Sequence, residues 1–187
     1  MPPSNLVFLI DVSGSMREVD PPSDTGPGGK RIDKAKAALE QTVRGLDDGA
    51  FFNMLAFDDR IRTWEKVLQR AQPKVKANAI VWVQGLQELG MTHTDEALEK
   101  AFEDQNINTI YLLTDGAPMK MDPKTGQQIN IDPQTILDKV ATLNRFRKIK
   151  IFTMGFEAVS KEPNGEVFVG FLKQLAEQNG GKFIPIN

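Results

Sequence analysis

The sequence predicts an α/β fold: a Rossmann-like, three-layer α/β/α domain with a doubly wound, mostly parallel six-stranded sheet. Three observations carry this. Short continuous apolar runs such as Leu6-Val7-Phe8-Leu9-Ile10 read as strands buried on both faces. These runs alternate with amphipathic helical stretches, the pattern of a parallel sheet whose crossovers are helices. The first run opens into Asp11-Val12-Ser13-Gly14-Ser15, and open α/β sheets bind ligands at the carboxyl ends of their strands.

The elements follow in order. Glu18–Gly29, rich in Pro, Gly, Ser and Asp, reads as an irregular loop. Ile32, Ala35, Leu39, Val43 and Leu46 recur at helical spacing, and Asp47-Asp48-Gly49 ends that helix. Phe51–Phe57 is a second apolar strand, with Phe51 and Phe52 expected on opposite faces. Asp58-Asp59 turns the chain into a short returning strand, Ile61–Trp64. Pro73 starts a helix with Val75, Ala79, Trp82 and Leu86 inward and Gly85 inside it. Trp64 and Trp82 read as packing residues. After the loop Gly90-Met91-Thr92-His93, Thr94 is a candidate cap for a helix facing Ala97, Leu98, Ala101 and Phe102 inward. Thr109–Leu113 is a buried strand ending at Thr114-Asp115-Gly116. A polar stretch, Ala117–Asp132, follows, with a turn at Pro123-Lys-Thr-Gly126. Gln134–Asn144 is helical, Lys150–Met154 a strand and Glu157–Glu166 a loop. A last helix reaches Gln178, where Asn179-Gly180-Gly181 stops it before strand Lys182–Ile186.

At 187 residues the chain fits one domain, 1–187. It starts almost directly on a strand after Met1-Pro2-Pro3, as a domain excised from a longer protein would. Net charge is −2, and the lysines and arginines read as spread rather than clustered, so no global basic field favours nucleic acid or an anionic membrane, and no direct membrane insertion is expected. The lack of cysteine excludes disulfides and thiolate metal sites. No run approaches a membrane span and no signal peptide is seen, which leaves the compartment open.

Asp11, Ser13, Ser15, Thr92 and Asp115 all fall on loops that a doubly wound sheet gathers on one edge. They offer only oxygen, which suits Mg²⁺, Mn²⁺ or Ca²⁺ rather than Zn²⁺ or Cu²⁺. An open position on such a cation would attract an external carboxylate. Local capping by Ser and Asp is the plain alternative for Asp-x-Ser-x-Ser alone.

Asp11-x-Ser13-x-Ser15, then Gly90-Met91-Thr92, then Thr114-Asp115-Gly116, resemble the metal-ion-dependent adhesion site of the von Willebrand factor type A domain family, in a bacterial-type member. The order of motifs and the helix–strand plan agree over essentially the whole chain. The resemblance implies direct metal binding by Ser13 and Ser15, and binding directly or through water by Thr92, Asp11 and Asp115. It implies sheet order 3-2-1-4-5-6, with Ile61–Trp64 the antiparallel edge, and a protein ligand whose Asp or Glu completes the metal shell. The chain departs from the family in its longer segments 18–29 and 117–132, both expected to flank the metal face. It also lacks sequence for the further C-terminal helix that shifts in integrin-type members, so no affinity switch is carried over.

Other readings are weaker. Asp20, Asp24 and Asp33 lack the spacing of an EF-hand, and a solvated acidic loop is the simpler account. Gly26-Pro-Gly-Gly-Lys30-Arg31 fails as a P-loop, because Asp24 stands where the first Gly belongs and Arg31 where Ser or Thr does. His93 reads as an exposed rim residue. Two alternative functions stay open: a metal-dependent phosphohydrolase using Asp11 as nucleophile, and a scaffold subunit docking an AAA ATPase or other multidomain machine.

Overall fold

A computed structural model describes residues 4–22, 27–122 and 124–186. Met1–Pro3, Asp24, Gly26, Pro123 and Asn187 of the sequence argument lie outside them. The chain runs β1 (Asn5–Asp11), a 3-10 turn at Gly14–Arg17, then β2 (Val19–Asp20), β3 (Gly29–Lys30) and α1 (Arg31–Arg44). Next come β4 (Phe51–Phe57), β5 (Ile61–Thr63), β6 (Gln69–Arg70), α2 (Pro73–Gln84) and α3 (Thr94–Glu103). Then follow β7 (Thr109–Leu113), β8 (Met119–Met121), β9 (Gln128–Asn130) and α4 (Pro133–Asn144). The last elements are β10 (Lys150–Phe156), a 3-10 turn at Glu157–Lys161, α5 (Gly165–Gln178) and β11 (Phe183–Ile186).

The sheet order is β11-β10-β7-β1-β4-β5, which is the expected 3-2-1-4-5-6 read from the other edge. All neighbours are parallel except β5, which runs antiparallel to β4. The sheet has seven strands rather than six. Gln69-Arg70 continues the antiparallel edge by pairing with Phe51-Phe52, too short and polar to be read as a strand. α1 packs on α2, while α3, α4 and α5 pack in series; right-handed crossovers put the two groups on opposite faces. Phe52 is fully buried and Phe51 is exposed, the expected split. An aromatic row crosses the sheet: Trp64 stacks on Phe52, and Tyr111 stacks between Phe8 and Phe152 at 5.2 and 4.9 Å. Trp64 and Trp82 pack against the core, as expected.

Several boundaries differ from the sequence reading. α1 ends at Arg44 with Gly45 as its C-cap, ahead of Asp47-Asp48-Gly49. Gly85 caps α2 instead of sitting inside it, which removes the cost of an interior glycine. Thr94 is the first residue of α3, and its buried hydroxyl has no hydrogen-bond partner among the described residues. Asp132 caps α4, accepting from Gln134 N–H at 3.1 Å. Segments 18–29 and 117–132 are not simply loops. Each carries a two-stranded antiparallel ribbon, β2–β3 and β8–β9. Among the described residues no helix is long and apolar enough to cross a membrane.

Candidate metal centre

β1 lies between β4 and β7, in a register that aligns Ile10 with Ala56 and Leu113. The residues that follow, Asp11 on β1 and Thr114-Asp115 after β7, therefore emerge side by side at the carboxyl edge. Asp11 is fully buried, and Ser13, Thr92 and Asp115 are nearly so. Asp11 Oδ1 accepts the Ser13 backbone N–H at 2.8 Å, and Oδ2 accepts the Thr114 hydroxyl at 2.5 Å. The Ser13 and Ser15 hydroxyls are 3.1 Å apart, and Ser15 donates to Asp115 Oδ1 at 2.8 Å.

The third loop is tied in through its backbone. Leu89 N–H donates to Val12 carbonyl at 2.7 Å and Gly14 N–H to Gly90 carbonyl at 3.0 Å. Gly90 has φ +79, and a Cβ there would lie 2.6 Å from Asp59 Oδ1, so glycine meets both demands of this turn. Thr92 is thereby brought to the other two loops. A Cβ on Gly116 would lie 3.2 Å from Ser15 Oγ and 3.3 Å from Thr92 Oγ1. That space, bordered by two hydroxyls and by Asp115, is a cradle kept clear by the absence of a side chain. All five residues singled out in the sequence thus meet on one edge.

The electrostatics of this cradle suit a hard cation. Burial, then the nearby Asp115 charge, pushes the Asp11 carboxyl up to about 7. Burial likewise raises Asp115, against the opposing hydrogen bonds from Arg31 and Ser15. Two carboxylates converging out of water repel each other and disfavour their charged forms, and a bound divalent cation would reverse both effects. No group of three or more His, Cys, Asp or Glu with metal-holding geometry occurs among the described residues. Any ion here would depend on the hydroxyls, a donor set that fits Mg²⁺, Mn²⁺ or Ca²⁺.

Arg31 is the residue that sequence reasoning missed. It is 3% exposed and sits at the first position of α1. Its Nη1 donates to Asp115 Oδ2 at 3.0 Å, its Nε to Asp20 Oδ1 at 2.9 Å and its Nη2 to Glu162. Glu18 lies 3.3 Å from Nη1. One guanidinium thus ties the centre to the β2–β3 ribbon and to the turn before α5. A signal was present: a cation in the first helical turn opposes the helix dipole, so another interaction has to compensate. Thr114, to which the sequence pattern assigns no role, anchors Asp11 through its hydroxyl. Asp20 is neither solvated nor a free cation ligand, being buried against Arg31 and Lys34. His93 is not the exposed rim residue expected. Its side chain is 16% exposed, its ring nitrogens have no hydrogen-bond partner among the described residues, and Nδ1 stands 3.4 Å from Glu96 Oε1. A groove of about 710 Å³ is lined by residues such as Asn5, Asn53 and Lys100 and shares none with this site.

Comparison with known proteins gives a consistent picture. The family model for the von Willebrand factor type A domain matches residues 4–183. Human von Willebrand factor A domain-containing protein 3B is 29% identical over 179 residues, covering 95% of this chain and 11% of that protein. The chain therefore spans about a tenth of the length of that curated relative. A von Willebrand factor type A structure from Catenulispora acidiphila superposes with TM-score 0.72 at 23% identity, over 99% of this chain and 39% of the other. The manganese-loaded Plasmodium vivax TRAP protein superposes with TM-score 0.64 at 19% identity, over 94% and 63%.

Proposed function

From the premise that the chain belongs to the von Willebrand factor type A domain family, we propose that it is a protein-interaction module whose binding depends on a divalent cation. Asp11, Ser13, Ser15, Thr92 and Asp115 would hold Mg²⁺, or Mn²⁺ or Ca²⁺, at the carboxyl edge of the sheet. When bound, the cation supplies a positive, oxygen-seeking position for an Asp or Glu of the partner. The observation that carries the reading is the cradle at Gly116, faced by the Ser15 and Thr92 hydroxyls beside two buried carboxylates. Ser13 and Ser15 offer neutral oxygens that leave the site electron-poor toward an incoming carboxylate. Asp11, held by Ser13 and Thr114, supplies charge without reaching solvent. That burial also counts against the phosphohydrolase reading, because an aspartyl nucleophile needs a free, accessible oxygen.

Titration calorimetry of Mg²⁺ and Mn²⁺ into the wild type and Asp11→Ala tests the site. Heat from the wild type that disappears in the variant supports it, and equal heats from both reject it. Retention of a partner from source lysate in Mg²⁺ and its release by EDTA would then identify the protein ligand.

A further inference from the structure

We propose that the corner between α4 and β10 is a docking surface for an anionic lipid bilayer. Contrary to the reading of evenly spread cations, Arg145, Arg147, Lys148 and Lys150 crowd into six residues. Arg147 is engaged, donating to the Phe102 and Asp104 carbonyls at 2.6 and 2.7 Å. Arg145, Lys148 and Lys150 are exposed and make no ion pair among the described residues. They line a cleft of about 370 Å³ with Asn144, Asn179 and Gly180, and no carboxylate among the described residues lines it.

Phe146 stands among these cations and is 85% exposed, the most exposed large apolar side chain among the described residues. The corner holding it is firmly built. The Asn144 side chain donates to Ile149 carbonyl and accepts Ile149 N–H, both at 2.7 Å. Asn144 also donates to the Asn179 side chain at 2.7 Å. Lys148 takes a left-handed φ of 55, unusual for a side chain of this size. A clamped corner that keeps a phenylalanine in water is not using it for folding.

An exposed aromatic with the Arg145 guanidinium 5.2 Å from its ring centroid, next to a cleft lined by Arg145, Lys148 and Lys150, has the composition of interfacial membrane contacts: the ring enters the headgroup layer and the cations meet lipid phosphates and carboxylates. A nucleic acid would need cations strung along successive phosphates, whereas these gather round one cleft. The position adds an orientation. The corner precedes β10, at the amino edge of the parallel strands, whereas Asp11 and Asp115 lie at the carboxyl edge. A chain seated by Phe146 holds its candidate metal face away from the lipid.

Vesicle co-sedimentation of the full chain tests this, in EDTA so that no cation bridges lipid to the carboxyl edge. At low ionic strength the wild type should pellet with vesicles containing phosphatidylserine and stay in solution with phosphatidylcholine alone. Loss of one cation, as in Lys148→Ala, should weaken partitioning about fivefold. The combined Arg145→Glu, Lys148→Glu and Lys150→Glu variant should abolish it, and Phe146→Ala should reduce it several-fold, with melting temperatures kept. Failure of the wild type to pellet, equal pelleting of the charge-reversed variant, or equal pelleting with both lipids would each overturn the proposal. Capture of a single-stranded oligonucleotide or of polyglutamate without vesicle binding would overturn it in favour of that other partner.

Discussion

At the carboxyl edge of the sheet, charge is buried and cross-braced: Asp11, Asp115, Asp20 and Arg31 are each at most 3% exposed. At the amino edge, Arg145, Lys148 and Lys150 stand in solvent with no partner of opposite sign among the described residues. The two edges carry charge for different purposes. Buried carboxylates facing one another are costly unless something cationic joins them, so the first edge is built around an internal counter-charge. Exposed, unpaired cations cost the fold almost nothing and act only on what approaches from outside.

The contrast can be broken most severely at Arg31. Arg31→Ala leaves Asp115, Asp20 and Glu162 facing a void, and should destabilise the chain by about 3–5 kcal/mol, read as a lowered denaturation midpoint. Arg31→Lys should recover little, since one ammonium cannot reach the three directions of the fork.

Next in size is the response to cation. Mg²⁺ at a hundredfold excess over its Kd should stabilise the wild type by about 2.7 kcal/mol, a rise of roughly 5–10 °C in Tm. Asp11→Asn should show no such rise, and without cation should melt no lower than the wild type. If it melts far lower in EDTA, Asp11 is a structural anchor and the carboxyl edge is not built around an added cation.

The pH dependence has a definite sign. The folded-state pKa of Asp11, about 7, lies above its ordinary 3.8. Between these values the folded chain holds more protons than the unfolded one, so in EDTA stability should fall as pH rises from about 4 to about 7. Thermal melts across that range check it, and saturating Mg²⁺ should flatten the slope.

Gly116→Ala sharpens the cradle argument. Its methyl would press on the Ser15 and Thr92 hydroxyls and should weaken cation binding on the order of tenfold, measured by calorimetry, with little change in Tm. The smallest effect belongs to the amino edge, where Phe146→Ala should alter stability by less than about 0.5 kcal/mol.

Much of this was legible in the sequence for physical reasons. Apolar runs and helical periodicity mark the buried strands and helices, and strand-end oxygens at 11, 13, 15, 92 and 115 mark the carboxyl edge. What escaped depends on distance or on short polar pairing. Arg31 meets Asp115 across 84 positions, a partnership no local pattern encodes. The strands of ribbons β2–β3 and β8–β9 and the strand β6 are only two or three residues long, too short for an alternation to stand out from the surrounding polar sequence. The half-buried position of His93 depends on a long-range tie, its backbone N–H donating to the Asp58 carbonyl, and its neighbours in sequence are polar. The crowding of 145–150 is visible in the sequence, but only the structure separates the engaged Arg147 from its unpaired neighbours.

The backbone bonds between the 12–14 and 89–90 loops have a kinetic meaning. They pair main-chain groups directly, so the arrangement is set during folding and does not wait for a ligand. Little chain entropy remains to be lost when an ion arrives. Capture should be fast, a single phase in stopped-flow mixing, with a modest unfavourable ordering component, and selectivity among ions should appear in how quickly each leaves.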